Sequence, residues 1–130
     1  HLAPVIQETK IIIVSGGARG VDQEAHQISL QAGLPTVVLL PSGFDQIYPR
    51  ELNQLKEKIL QAGGALLSEY ESSVTMKKHF FQQRNRLISA LGEALLVIQA
   101  GEKSGTGITA QYAVDQGKPL YVLPAHPLDA

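Results

Sequence analysis

The chain has 130 residues and a formal net charge of −1, from 11 Lys+Arg against 12 Asp+Glu. With 44% apolar and 18% charged residues it can bury a core, which excludes a disordered chain, and its length fits one domain. No apolar run approaches the roughly 18–20 residues a spanning helix needs, the first ten residues have no signal-peptide pattern, and zero cysteine excludes disulfides, zinc–thiolate sites and Cys nucleophiles. A cysteine-free chain without such segments fits a cytoplasmic location. The negative balance argues against a surface coated for nucleic acid, because phosphate binding is driven by positive charge.

Residues 2–9 read as the tail of a helix feeding the first strand. The expectation is therefore a fragment of a longer protein, a single Rossmann-like domain over 1–130 that lacks its first strand. Five short runs rich in Val, Ile and Leu follow, at 11–15, 36–41, 65–69, 94–100 and 119–124. Each is apolar on both parities, the signature of parallel strands covered on both faces. Helical spacing fills the intervals. Val21, Ala25, Ile28 and Ala32 precede Gly33, and Leu52, Leu55, Ile59 and Ala62 precede Gly63 and Gly64. Phe80, Arg84, Leu87, Ile88 and Leu91 run up to Gly92, and residues 108–114 lead to Gly117. Short buried strands alternating with helices imply right-handed crossovers. The predicted fold is an open α/β, mostly parallel, Rossmann-like sheet with helices on both faces.

Three places can carry chemistry. The first is the turn with Ser15, Gly16, Gly17, Arg19 and Gly20, which follows a strand and opens a helix. There glycines let backbone N–H groups approach a phosphate, and the helix start adds partial positive charge. The spacing matches neither GxGxxG nor a P-loop. A plain strand-to-helix turn needing glycine, with Asp22 near the helix start, accounts for it equally well. The second is the loop with Lys103, Ser104, Gly105 and Thr106, again between a strand and a helix. It reads either as an anion cradle or as a simple N-cap.

The third is the stretch 76–86, with Lys77, Lys78, His79, Arg84 and Arg86 and no acid, which leaves seven basic against twelve acidic groups elsewhere. Arginines beside an aromatic ring and Asn85 suit a nucleic-acid strand: charge tracks phosphates, a ring or guanidinium stacks on a base, the amide reads an edge. The plain alternative is a solvated basic helix face with the phenylalanines in the core. Asp22 and His26 lack a third metal ligand. Glu69 and Glu71 point to opposite sides of an extended segment, so paired-carboxylate catalysis has no support.

These residues resemble a known family. Ser15-Gly-Gly-Ala-Arg-Gly-Val-Asp22 with Ala25-His26, Tyr48-Pro49, Leu67-Ser-Glu69, Phe81-x-x-Arg84-Asn85-Arg86-Leu-Ile-Ser89 and Lys103-Ser-Gly-Thr106 followed by Thr109-Ala110 look like the central domain of DprA/Smf proteins. The resemblance runs in order through residues 11–124. It implies an extended Rossmann domain that binds single-stranded DNA during natural transformation, protects it and loads the RecA recombinase, working as a homodimer. It also implies no catalysis, no cofactor and no metal.

By this resemblance the turn at Ser15, Gly16, Gly17, Arg19 and Gly20 and the loop at Lys103, Ser104, Gly105 and Thr106 face the DNA. Lys78, Arg84, Asn85 and Arg86 line the pocket, with Lys78 as the leading phosphate contact. Family members usually have an apolar residue at the position of Gly107 and a glycine at that of Ala125. Their preceding glycine-and-arginine turn, which adds an arginine to the pocket, has no counterpart in this sequence. The competing reading is a nucleotide-binding protein or a phosphoribohydrolase of the LOG/lysine-decarboxylase-like group. Thr109 stands where that group has its glutamate, which removes the acid–base carboxylate.

Overall fold

The computed structural model describes residues 3–98 and 105–123, with the side chains of 105–107 outside the description. In chain order the elements are α1 (Ala3–Thr9), β1 (Ile13–Ser15), α2 (Val21–Gln31), β2 (Thr36–Leu39), a 3-10 turn (Phe44–Gln46) and α3 (Leu52–Gln61). There follow β3 (Ala65–Leu67), α4 (Lys78–Leu91), β4 (Leu95–Val97), α5 (Gly105–Asp115) and β5 (Leu120–Val122). All five expected strands are present and every pairing is parallel. They form two ladders: β1-β2-β3 and β4-β5.

The ladders explain why the central runs are apolar on both parities. Alternate residues of a strand face opposite sides. On one side Val38, Leu40 and Leu66 pack with Ile47, Leu52 and Ile59, joined by Leu30 of α2 and Leu55 of α3. On the other, Leu39 and Leu67 line a groove of about 280 Å³ with Leu87, Ala90 and Leu91 of α4. Helices therefore flank both faces of the three-stranded sheet. The expected stops hold at Gly33, Gly63 and Gly117, which close α2, α3 and α5 in the left-handed conformation.

The second ladder differs from expectation. Leu120, Tyr121 and Val122 of β5 are all exposed, Tyr121 and Val122 by more than 60%. This strand pairs with β4 alone and meets α5 on one side, so its apolar residues lack a second layer among the described residues. Two further boundaries shift. Helix α4 begins at Lys78 rather than Phe80, and α5 begins at Gly105, so Gly105 and Thr106 form a helix start instead of a loop.

Candidate nucleic-acid interface

The first turn, the start of α3, the segment after β3 and the start of α4 converge at the carboxyl ends of β1, β2 and β3. In open α/β sheets this is where ligands bind. The turn after β1 is shaped by internal contacts. Gly16 N–H and Ala18 N–H both donate to Asp22 Oδ2, at 3.2 and 3.3 Å, and the Gln23 amide donates to Gly17 O at 3.2 Å. Two of the donors expected to cradle a phosphate are thus held by a carboxylate of the same chain. Asp22 does for this turn what an N-cap does for a helix, satisfying N–H groups that would otherwise need a ligand or water.

Glycine at two positions is a matter of space. A Cβ on Gly16 would lie 2.5 Å from both Cζ and Nη1 of Arg84. Gly17 has φ +68°, and a Cβ there would meet the Leu52 side chain at 2.7 Å. The first glycine lets a guanidinium approach the backbone; the second lets the turn sit on the core.

Arg84 is the centre of this arrangement. It is 4% exposed. Its Nη1 donates to Leu39 O at 2.7 Å and Gly16 O at 3.0 Å, while Nε donates to Asn85 Oδ1 at 3.1 Å. The guanidinium also lies 5.7 Å from the Phe81 ring centroid. Burial lowers its pKa, with Asp22 acting in the opposite sense. Sequence reasoning set Arg84 beside a strand of nucleic acid; the side chain instead turns inward and gathers the carbonyl ends of β1 and β2. Asn85, 9% exposed, is drawn into the same cluster. Among the described residues the ion pairs are Arg19–Glu51 and Arg86–Glu69. Arg84 is thus a buried cation held by neutral oxygens.

The remaining cations lie outside this core. Arg19 is exposed, pairs with Glu51 at 3.2 Å and lies 5.9 Å from the Tyr48 ring centroid. Glu51 raises the Arg19 pKa, while hydrogen bonding at its own backbone and then Arg19 lower that of Glu51. Arg86 pairs with Glu69 at the surface. Lys77 and Lys78 are exposed at the start of α4, whose first turn contains no acid. Of the second predicted loop, Lys103 and Ser104 lie outside the described residues, as do the side chains of Gly105 and Thr106.

Below the turn, His26 is fully buried and its Nδ1 is 2.8 Å from Thr36 Oγ1. That hydroxyl donates its own proton to Ile13 O at 2.9 Å, so Nδ1 carries the imidazole hydrogen. Burial lowers the His26 pKa to about 4, against a raising influence from Asp22. The chain His26–Thr36–Ile13 ties α2 to both strands under the turn. Asp22 and His26 join no group of three or more metal-binding side chains among the described residues. Sequence reasoning also missed the Tyr70–Phe80 ring stack and the partners Glu51 and Leu52, which come from distant segments. A larger groove, about 460 Å³ between α2 and α3, holds none of the candidate residues.

The family model for DNA recombination-mediator protein A matches residues 1–130. The chain belongs to that family. Protein Smf of Escherichia coli (strain K12) is 39% identical over 114 residues, covering 88% of this chain and 30% of its own length. DNA processing protein DprA of Bacillus subtilis (strain 168) is 39% identical over 129 residues, covering 99% and 43%. The X-ray structure of DprA from Streptococcus pneumoniae superimposes with a TM-score of 0.87 at 35% identity, over 98% of this chain and 46% of that one. A structure of DprA from Helicobacter pylori, concerned with that protein's single-stranded DNA binding mode, gives 0.85 at 39%, over 97% and 57%. The chain spans less than half the length of these two curated DprA/Smf relatives.

Proposed function

We propose that this chain is the single-stranded-DNA-binding part of a DprA/Smf protein that protects DNA entering by natural transformation and loads RecA on it in the cytoplasm. The observation that carries the reading is the buried Arg84 guanidinium. It lies at the strand ends where ligands of open α/β sheets bind. Among the described residues its hydrogen bonds go to backbone and amide oxygens and it makes no direct ion pair, the Asp22 carboxylate acting on it only from a distance. A buried cation projects its field into the adjoining cleft, because little solvent screens it. Exposed Lys77 and Lys78 extend that field along the mouth, and Arg86 and Arg19 sit within reach of it. In this reading Lys78 meets phosphate directly, whereas Arg84 and Asn85 set the shape and potential of the pocket from beneath. In the same reading Ser15, Gly16, Gly17, Arg19 and Gly20 form one wall, while the DNA contact proposed for Lys103, Ser104, Gly105 and Thr106 rests on the family resemblance alone. The relative from Helicobacter pylori, known for its single-stranded DNA binding mode, lends the ligand class.

A net charge of −1 is compatible with this, since a cleft binds through its local field rather than the global balance. The competing phosphoribohydrolase reading needs an acid–base carboxylate at the position of Thr109, a buried hydroxyl residue. The homodimer is proposed on the exposed Leu96–Tyr121 pair of β4 and β5, an apolar ribbon that a second copy would cover. Sedimentation of the chain across a concentration series tests that assembly.

The deciding experiment for the function is oligonucleotide binding over a salt series, with single and double strands compared. Tight single-strand binding that weakens steeply with salt is expected. Binding without salt dependence, or release of free base from a nucleoside monophosphate, overturns the reading.

A further inference from the structure

Beside the pocket stands an aromatic pair outside the apolar core cluster, one ring of which, Tyr70, is near enough to Arg84 to act on its charge. Tyr70, in the segment after β3, stacks on Phe80 in the first turn of α4 with centroids 4.2 Å apart and planes 24° from parallel. His79 meets Phe80 edge-on at 4.6 Å, and Lys77 Nζ lies 5.7 Å from the Phe80 centroid. The Tyr70 hydroxyl donates to Gln83 Oε1 at 3.1 Å, which fixes the ring from its far end. Both rings are half-buried, and neither belongs to the cluster that forms the core. Their surroundings are of mixed charge. Glu69 and Glu71 flank Tyr70 and Glu69 pairs with Arg86, whereas on the Phe80 side Lys77 and Lys78 are exposed and no acidic residue occurs between Glu71 and Glu93.

We infer that the Tyr70–Phe80 pair is a stacking platform for one unpaired base of the same strand that occupies the pocket. The inference rests on the single-stranded-DNA reading and assigns a further subsite to it. The chemistry matches on each count. Two rings held nearly parallel present a preorganised π face, and base–aromatic stacking tolerates any base. Lysines at the rim supply the phosphate contacts on either side of such a base. Phe80 precedes Arg84 by four residues, just over one helical turn and about 6 Å of rise, so a strand leaving the Gly16 turn along α4 passes the rings next. A duplex cannot use the platform, because its bases are already stacked on one another. The platform therefore also favours single over double strands.

The test uses a thymidine oligonucleotide carrying one 2-aminopurine, with fluorescence reporting stacking and anisotropy reporting affinity. Tyr70→Leu and Phe80→Leu are expected to weaken binding roughly 5- to 100-fold and to abolish the 2-aminopurine quench at one position. Tyr70→Phe, which keeps the ring and loses the Gln83 bond, should bind like the parent. A single abasic site scanned along the strand should cost the parent protein a comparable factor at that same position, a readout independent of whether a variant folds. Leucine variants that bind and quench like the parent, or an abasic scan with no sensitive position, overturn the platform while leaving single-strand binding intact. No binding of any oligonucleotide by the parent overturns the functional reading itself.

Discussion

Nη1 of Arg84 donates to the carbonyl oxygen of Gly16 at 3.0 Å, in space that any side chain at position 16 would occupy. The two residues are 68 positions apart and specify each other. Without the glycine the guanidinium is displaced; without the guanidinium the carbonyls of Gly16 and Leu39 lose their shared donor. A charge removed from water needs several such partners to be tolerated. Here they come from β2, from the turn after β1 and from the neighbouring Asn85.

Arg84→Ala should therefore destabilise the chain by roughly 3 kcal/mol in urea unfolding, the range for removing one member of a buried, hydrogen-bonded network. Gly16→Ala should cost about 1–3 kcal/mol, as overpacking does. Combined, the two should cost less than their sum, because the alanine methyl no longer meets a guanidinium. Strict additivity would show that the contact is not what fixes the glycine.

Protonation of His26 supplies a second test. Its pKa falls from 6.5 to about 4 on folding, chiefly through burial. The unfolded chain therefore binds more protons between these values, and stability must fall as the pH drops from about 6.5 toward 4, with no further loss from this residue below that. A shift of this size corresponds to roughly 3 kcal/mol. His26→Gln should lose that portion of the pH dependence in urea titrations at pH 7 and pH 4.5, even if it is less stable at neutral pH. An unchanged difference between the two pH values would assign the acid sensitivity to other groups.

The elements were readable because the intervals hold apolar residues three and four apart that run up to a glycine, and each strand is short and rich in Val, Ile and Leu. The direction of Arg84 was harder. It shares a face with Phe80 and Leu87, so periodicity alone puts it on the inward stripe, yet a lone arginine is ordinarily drawn to solvent. Its acceptors, Gly16 O and Leu39 O, lie 68 and 45 residues away, and no local pattern announces a backbone carbonyl as a partner. The Asp22 carboxylate over Gly16 N–H and Ala18 N–H is nearer in sequence, but glycine-rich turns that bind anions and those that satisfy themselves share one composition. The exposure of β5 was invisible for another reason. An apolar strand reads alike whether its covering layer comes from its own domain or from elsewhere.

Lys78 is exposed and heads α4, so its loss should alter binding without altering the fold. Lys78→Ala should weaken single-strand binding uniformly across base sequences and reduce the slope of log K against log salt by about 0.7, the contribution of one phosphate contact on a single strand. The urea midpoint should not move. An unchanged slope would remove Lys78 from the interface.

Glu51 restrains Arg19. The pair is exposed, the carboxylate draws the guanidinium across the mouth of the first turn, and the Tyr48 ring lies beneath it. An incoming phosphate must compete with Glu51 for this arginine. Glu51→Gln removes the competing charge while keeping an oxygen of the same size and place, so oligonucleotide affinity should rise a few-fold at low salt, and the gain should shrink as salt screens both partners. Arg19→Ala should lower affinity, and adding Glu51→Gln to it should restore little, because the released cation is gone. If Glu51→Gln helps equally with and without Arg19, the carboxylate acts by simple repulsion of the strand and Arg19 is no part of the contact.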